Sequence, residues 1–94
     1  MNFGWNPRNA SLNVANHGVT FEEARLVFDD DHALIEPDEA HSFGERRFTI
    51  IGEGYKRLLF VVFTERRDDE GEELIWLISA REVEPYERER YYES

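Results

Sequence analysis

Six of the eleven lysines and arginines of this chain fall between Arg46 and Arg67: Arg46, Arg47, Lys56, Arg57, Arg66 and Arg67. Only Glu53 and Glu65 oppose them, so the segment is net positive inside a chain of formal charge −10. The acids crowd on either side. Asp29 to Glu45 holds seven carboxylates and no lysine or arginine, and residues 68–73 hold five more. Guanidinium groups spaced along strand ends suit an anion, because the planar fork matches two oxygens of a phosphate or carboxylate. Two readings follow from the residues alone. Either the patch meets a polyanion, or these are strand ends solvated and paired with the surrounding acids.

Other chemistries find little support. His17, His32 and His41 are far apart, and only His32 sits among carboxylates, where Asp29-Asp30-Asp31-His32 reads as a solvated helix end; no metal is expected. Gly52 and Gly54 belong to a turn, so no phosphate-cradling loop is present. No serine has a nucleophile's setting, and Ser79 lies in an apolar run. The 94 residues contain no cysteine, which excludes a disulfide framework and suits a reducing compartment. No stretch resembles a signal peptide or a membrane span, so a soluble cytoplasmic protein without membrane contact is expected.

The elements that would position the basic residues can be read off the chain. The run from Arg57 to Arg66 is the most apolar, β-branched and aromatic, with charge only at its ends: a central strand buried on both faces. Leu74 to Arg81 has the same character, and the charged, glycine-containing turn between them makes the two an antiparallel hairpin. Alternation puts Arg57 and Glu65 on one face and Arg66 on the other unless a bulge intervenes. Upstream, Phe3-Gly4-Trp5 is a short edge strand. Asn6-Pro7 starts a helix that stops at His17-Gly18. Thr20 and Glu23 form a capping box opening a second helix through Phe28, ended by three aspartates. A short strand around Ala33-Leu34-Ile35, a polar loop over 38–45 and a strand from Arg46 to Gly52 lead into the hairpin. Glu84-Pro85 opens a last helix carrying Tyr86, Tyr91 and Tyr92. The whole is one α+β domain over residues 1–94: a short N-terminal strand, two helices, an antiparallel meander of three to four strands, and a C-terminal helix.

The series Phe3, Trp5-Asn6-Pro7, Ala10, Asn13, His17-Gly18-Val19, Phe21 and Ala24 resembles the N-terminus of the BrnT toxins, the ribonuclease half of BrnT/BrnA toxin–antitoxin pairs. The likeness continues through Val27-Phe28-Asp29, His41-Ser42, Glu45-Arg46-Arg47, Ile51-Gly52, Arg57-Leu58-Leu59, Val61 to Arg66, Ile78-Ser79-Ala80-Arg81, Glu87-Arg88 and Tyr91. It covers essentially the whole chain. It implies a RelE-like fold, metal-independent endoribonuclease activity without a cofactor, and neutralisation by a small ribbon-helix-helix antitoxin of the BrnA kind, through which alone operator DNA is contacted. Members usually read Trp-Asp-Pro, a lysine before His-Gly, an arginine five positions before the last arginine of Ser-Ala-Arg, and a threonine capping the last helix. Asn6, Asn16, Trp76 and Glu84 stand there instead, so two basic groups are absent.

Cleavage of RNA without a metal uses the 2′-OH as nucleophile and needs a base, cations for the developing phosphorane charge, and an acid for the leaving oxygen. On the resemblance, Arg57, Arg66 and Arg81 are the candidates for phosphate contact, with Arg47 and Lys56 touching RNA. Glu65 and His17 are the candidate bases. Each has a second reading: Glu65 pairs with a neighbouring strand's arginine, and His17 caps its own helix terminus. The alternative for the whole chain is a catalytically weak or inactive BrnT-fold module that acts only in complex with a protein partner.

Overall fold

A computed structural model describes all residues from Met1 to Ser94. The apolar run forms β4 (Leu58–Arg67), the middle strand of a five-stranded sheet. Its neighbours are β5 (Glu73–Glu82) on one side and β3 (Arg47–Glu53) on the other; β2 (Leu34–Pro37) and β1 (Asn2–Gly4) are the edges. β2 to β5 make the expected antiparallel meander. β1 lies parallel to β5, which makes the sheet mixed.

Strand alternation divides the side chains between two layers. Leu59, Val61 and Phe63 of β4 join Ile50, Leu77 and Ala80 beneath α1 (Pro7–His17), α2 (Phe21–Ala24) and a 3₁₀ turn (Arg25–Asp29). Leu58 and Phe60 point the other way, toward Ile51 and Tyr91 of α3 (Pro85–Glu93). Where β5 pairs with β4 the register slips at Ile78, since Val62 faces Ser79 and Phe63 faces Leu77. The extra residue is on β5, so the alternation of β4 runs unbroken from end to end.

Helix boundaries follow their local chemistry. The Asn6 side chain accepts from the N–H groups of Arg8 and Asn9 at 2.9 and 3.1 Å, Pro7 takes the first helical position, and Gly18 closes α1 with φ of 67°. Thr20 accepts from the Glu23 N–H at 3.0 Å, but the Glu23 carboxylate does not return to complete the box. It is drawn instead to Arg57 and to the Tyr55 N–H. The second helix is also shorter than expected: after Ala24 it tightens to 3₁₀ winding and lies across Gly52. A Cβ on Gly52 would stand 3.0 Å from both the Cβ and the carbonyl oxygen of Val27, so only glycine admits this approach.

β1 pairs only with residues 74–76, which leaves the edge of β5 beyond it without a strand. A side chain takes the place of that strand. Asn13, 5% exposed, donates to the carbonyls of Ala80 (2.8 Å) and Val19 (2.9 Å), and its Oδ1 accepts the Ala80 N–H (3.0 Å). Replacing it strands one buried donor and two acceptors, each worth about 1–3 kcal/mol when unpaired. Asn13→Ala is therefore expected to lower the unfolding free energy by roughly 3 kcal/mol in urea titration, while Asn9→Ala on the exposed side of α1 changes it by less than about 0.5 kcal/mol.

Candidate functional site

The unbroken alternation of β4 settles which basic groups share a face. Arg57 and Glu65 lie on the α1/α2 side, and Arg66 lies on the α3 side. Arg81, opposite Phe60, and Arg47, opposite Thr64, join Arg66 there. The sequence candidates thus separate into two groups that share no site.

On the α1/α2 side, Arg57 is committed to the protein itself. Its Nε and Nη2 donate to Glu23 at 3.0 and 2.6 Å, Nη2 also reaches the Gly18 carbonyl at 3.2 Å, and Glu82 stands 3.6 Å from Nη1. The hydrogen bonds from Arg57 hold the Glu23 carboxyl below its ordinary range, against the effect of burial. This is a clamp joining α2 to the start of β4. His17 is the exposed last residue of α1, Lys56 sits in the β3–β4 turn with φ of 59° and its ammonium over the Tyr55 ring, and Glu65 is exposed near the β4–β5 turn.

On the α3 side a cavity of about 320 Å³ opens between α3 and the sheet, with His41, Asp38, Arg81, Tyr86, Glu87 and Arg90 among its lining residues. Glu87 is its buried anchor at 1% exposure. The Nη1 and Nη2 of Arg81 donate to its two oxygens at 2.8 and 2.9 Å, the Glu84 N–H donates at 2.8 Å, and the Tyr86 hydroxyl stands 3.3 Å away. Burial alone would raise the Glu87 pKa; these donors outweigh it and keep the group below the usual carboxylate range. The same pairing raises Arg81. Glu87 in turn pushes the Tyr86 hydroxyl up, so that phenol stays protonated. Arg90 pairs with Glu36 across the cavity rim.

His41, set aside in the sequence as a metal ligand and named otherwise only within a motif, was not among the site candidates, and the fold gives it a setting. A 3₁₀ turn (Glu39–His41) brings its Nδ1 to 3.1 and 3.0 Å from the two oxygens of Asp38. A carboxylate can only accept, so Nδ1 carries a proton, and in the neutral ring Nε2 is then the acceptor. The readable signal was the spacing: an aspartate three residues ahead of a histidine in a polar loop. No three His, Asp or Glu side chains converge as a metal site would require. The Asp30-His32 region is instead a tether, in which Asp30 accepts from the Tyr91 hydroxyl (2.6 Å) and from the N–H groups of Glu53 and His32 (both 2.9 Å).

Two further arginines occupy the α3 face beyond the cavity. Arg66 reaches Glu45 at 3.3 Å and lays its guanidinium 4.3 Å from the centre of the Trp76 ring. Arg47 has no carboxylate partner, and its Nε is buried without an acceptor.

A protein-family model described as "Ribonuclease toxin, BrnT, of type II toxin-antitoxin system" matches residues 5–87. No curated protein matches the chain. No helix is long and apolar enough to cross a membrane.

The Glu87 anchor makes stability depend on acid. Its folded pKa lies below the unfolded value of about 4.3, so its contribution is fully present above that value and is lost as pH falls through the folded one. Glu87→Gln is expected to lower the unfolding free energy at pH 7 by roughly 2 kcal/mol, and to flatten the decline of stability below about pH 4, in denaturant titrations across pH.

Proposed function

The chain belongs to the BrnT family of ribonuclease toxins of type II toxin–antitoxin systems, and from that premise we propose that it is an endoribonuclease that cuts RNA in the cavity under α3, using the substrate's own 2′-OH and no metal. The observation that carries this reading is the pairing of two oriented groups at one cavity: a histidine aimed by Asp38 and an arginine aimed by Glu87. His41 Nε2 takes the proton of the 2′-hydroxyl as that oxygen attacks phosphorus. The bond to the 5′-oxygen breaks, leaving a 2′,3′-cyclic phosphate on one product and a 5′-hydroxyl on the other. Arg81 supplies directed N–H donors to the phosphorane oxygens, and the Tyr86 hydroxyl, turning from its 3.3 Å bond to Glu87, gives its proton to the leaving oxygen and regains one from solvent as His41 releases its own. In this reading Arg57, Glu65, His17 and Lys56 make no contact with the scissile phosphate, because none of them lines the cavity.

The family implies a cognate antitoxin. We take it to be a ribbon-helix-helix protein that supplies the DNA contact of the complex in the cytoplasm. A chain of net charge −10 is well steered toward a basic antitoxin arm and poorly steered toward RNA. One observation favours the second reading, a weakly active or inactive module that works only in complex. Arg57, Arg66 and Arg81 each already hold a carboxylate.

The two readings part in a single assay. Incubated with single-stranded RNA in excess EDTA, the purified chain is expected to release fragments ending in cyclic phosphate. His41→Gln is expected to slow that release by about 100-fold or more, and Arg81→Ala by a comparable factor. Intact RNA after prolonged incubation, together with normal growth of bacteria expressing the chain without its antitoxin, would leave only the binding-module reading.

A further inference from the structure

Beyond the cavity the α3 face carries a row that runs straight across the sheet. Arg47 stands opposite Thr64, Thr64 opposite Trp76, and Trp76 opposite Gly4. Neighbouring strands are about 4.8 Å apart, so Arg47 and Trp76 flank Thr64 on a single line, two strands from one another. Thr64 is 1% exposed and uses its hydroxyl to hold the Arg46 carbonyl at 2.6 Å, which leaves a small, polar-satisfied floor. The indole of Trp76 rests on Gly4, where a Cβ would lie 3.1 Å from two ring carbons. Over the ring lies the Arg66 guanidinium, whose side chain is 42% exposed. Of the arginines on this face Arg47 alone has no carboxylate, and its Nε is buried with no acceptor in the protein.

We propose that Arg47, Trp76 and Arg66 form a nucleotide-stacking platform for single-stranded RNA, in which a base stacks on the Trp76–Arg66 pair and the adjoining phosphate meets Arg47. Aromatic faces and guanidinium planes both accept unstacked bases, and they do so with little sequence preference. An arginine without a partner supplies the anion contact that the paired ones lack. The platform continues from the cavity along the same face, so it gives the RNA a grip outside the cleavage point. It rests on the reading that RNA is the substrate, and it adds the surface that holds the strand.

A 2′-O-methyl oligonucleotide cannot be cut through its 2′-hydroxyl, so its binding reports on the platform separately from cleavage. With Trp5→Phe in place, Trp76 is the sole tryptophan. Titration with a 2′-O-methyl hexamer is expected to quench its fluorescence. Read by the anisotropy of a dye-labelled hexamer, which needs no tryptophan, Trp76→Ala is expected to weaken binding about 10-fold, while Trp76→Phe stays within about 3-fold of the parent because it keeps an aromatic face. Arg47→Gln is expected to weaken all sequences alike and reduce the slope of log affinity against log salt by about one. The platform is overturned if Trp76→Ala binds as the parent does, if Trp76→Phe loses as much as Trp76→Ala, or if the antitoxin but not the oligonucleotide quenches Trp76. Cleavage of the unmodified RNA with undiminished binding by Trp76→Ala would remove the platform and leave the nuclease standing; quenching and binding without any cleavage would do the reverse.

Discussion

A carboxylate buried at the junction of helix and sheet organises the α3 side of this molecule. An ionised Glu87 in an apolar setting would be unfavourable by several kcal/mol, and the fold offsets that with a two-pronged guanidinium, a backbone N–H and a neighbouring phenol. The consequence is positional. α3 has few apolar residues to dock with, since only Glu87 and Tyr91 of its nine residues are buried. It is held at three polar points instead: Glu87 to β5, Arg90 to Glu36 of β2, and Tyr91 to Asp30 at the end of the 3₁₀ turn. Two of those points, Glu87 and the Arg90–Glu36 pair, also line the cavity between α3 and the sheet.

The same economy of charge runs through the whole chain. With 21 acids against 11 basic residues, carboxylates are plentiful, and five of the ten arginines pair with one: Arg46, Arg57, Arg66, Arg81 and Arg90. Arg57 shows what that does to a residue that sequence would assign to phosphate binding. It becomes a structural clamp on Glu23, and Glu23 gives up its place in the capping box to serve it. Arg47 makes no ion pair: its neighbours on β4 and β5 are Thr64 and Trp76, and Asp38, whose N–H bonds the Arg47 carbonyl at 2.8 Å, gives its carboxylate to His41. What decides the fate of each guanidinium is therefore its register position, not its number in the chain.

Register is also what separates the legible part of this fold from the rest. The strands, the caps at Asn6, Pro7, Gly18 and Thr20, the turns and the last helix were readable because their causes are local: alternation, a missing N–H, a residue free to take positive φ. The separation of Arg57 and Glu65 from Arg66 followed from alternation in the same way. The parallel placement of β1 did not, because three residues carry no directional signal. Nor did the pairing of Glu23 with Arg57, 34 residues apart, or of Asn13 with Ala80, 67 apart, since each needs the packed sheet before the partners meet. His41 fell between these cases. Its aspartate partner is local, but the cavity that the pair lines is assembled from β2, β3, β4, β5 and α3.

A paired arginine is not an inert one, and this bears on how the two functional readings relate. Arg81 has five N–H donors. Two serve Glu87 and one serves the Glu82 carbonyl, which leaves two for an incoming oxyanion. Phe60 lies 4.4 Å beneath the guanidinium and holds its plane. The carboxylate cancels most of the long-range attraction, so RNA is not drawn in from a distance, but the remaining donors stay fixed in direction and need little reorganisation when charge develops in front of them. Pairing thus exchanges capture for orientation. In the proposed nuclease such a site depends on something else to bring the strand within reach, and the proposed platform, an uncancelled cation with a stacking surface on the same face, is the part of the molecule suited to that task.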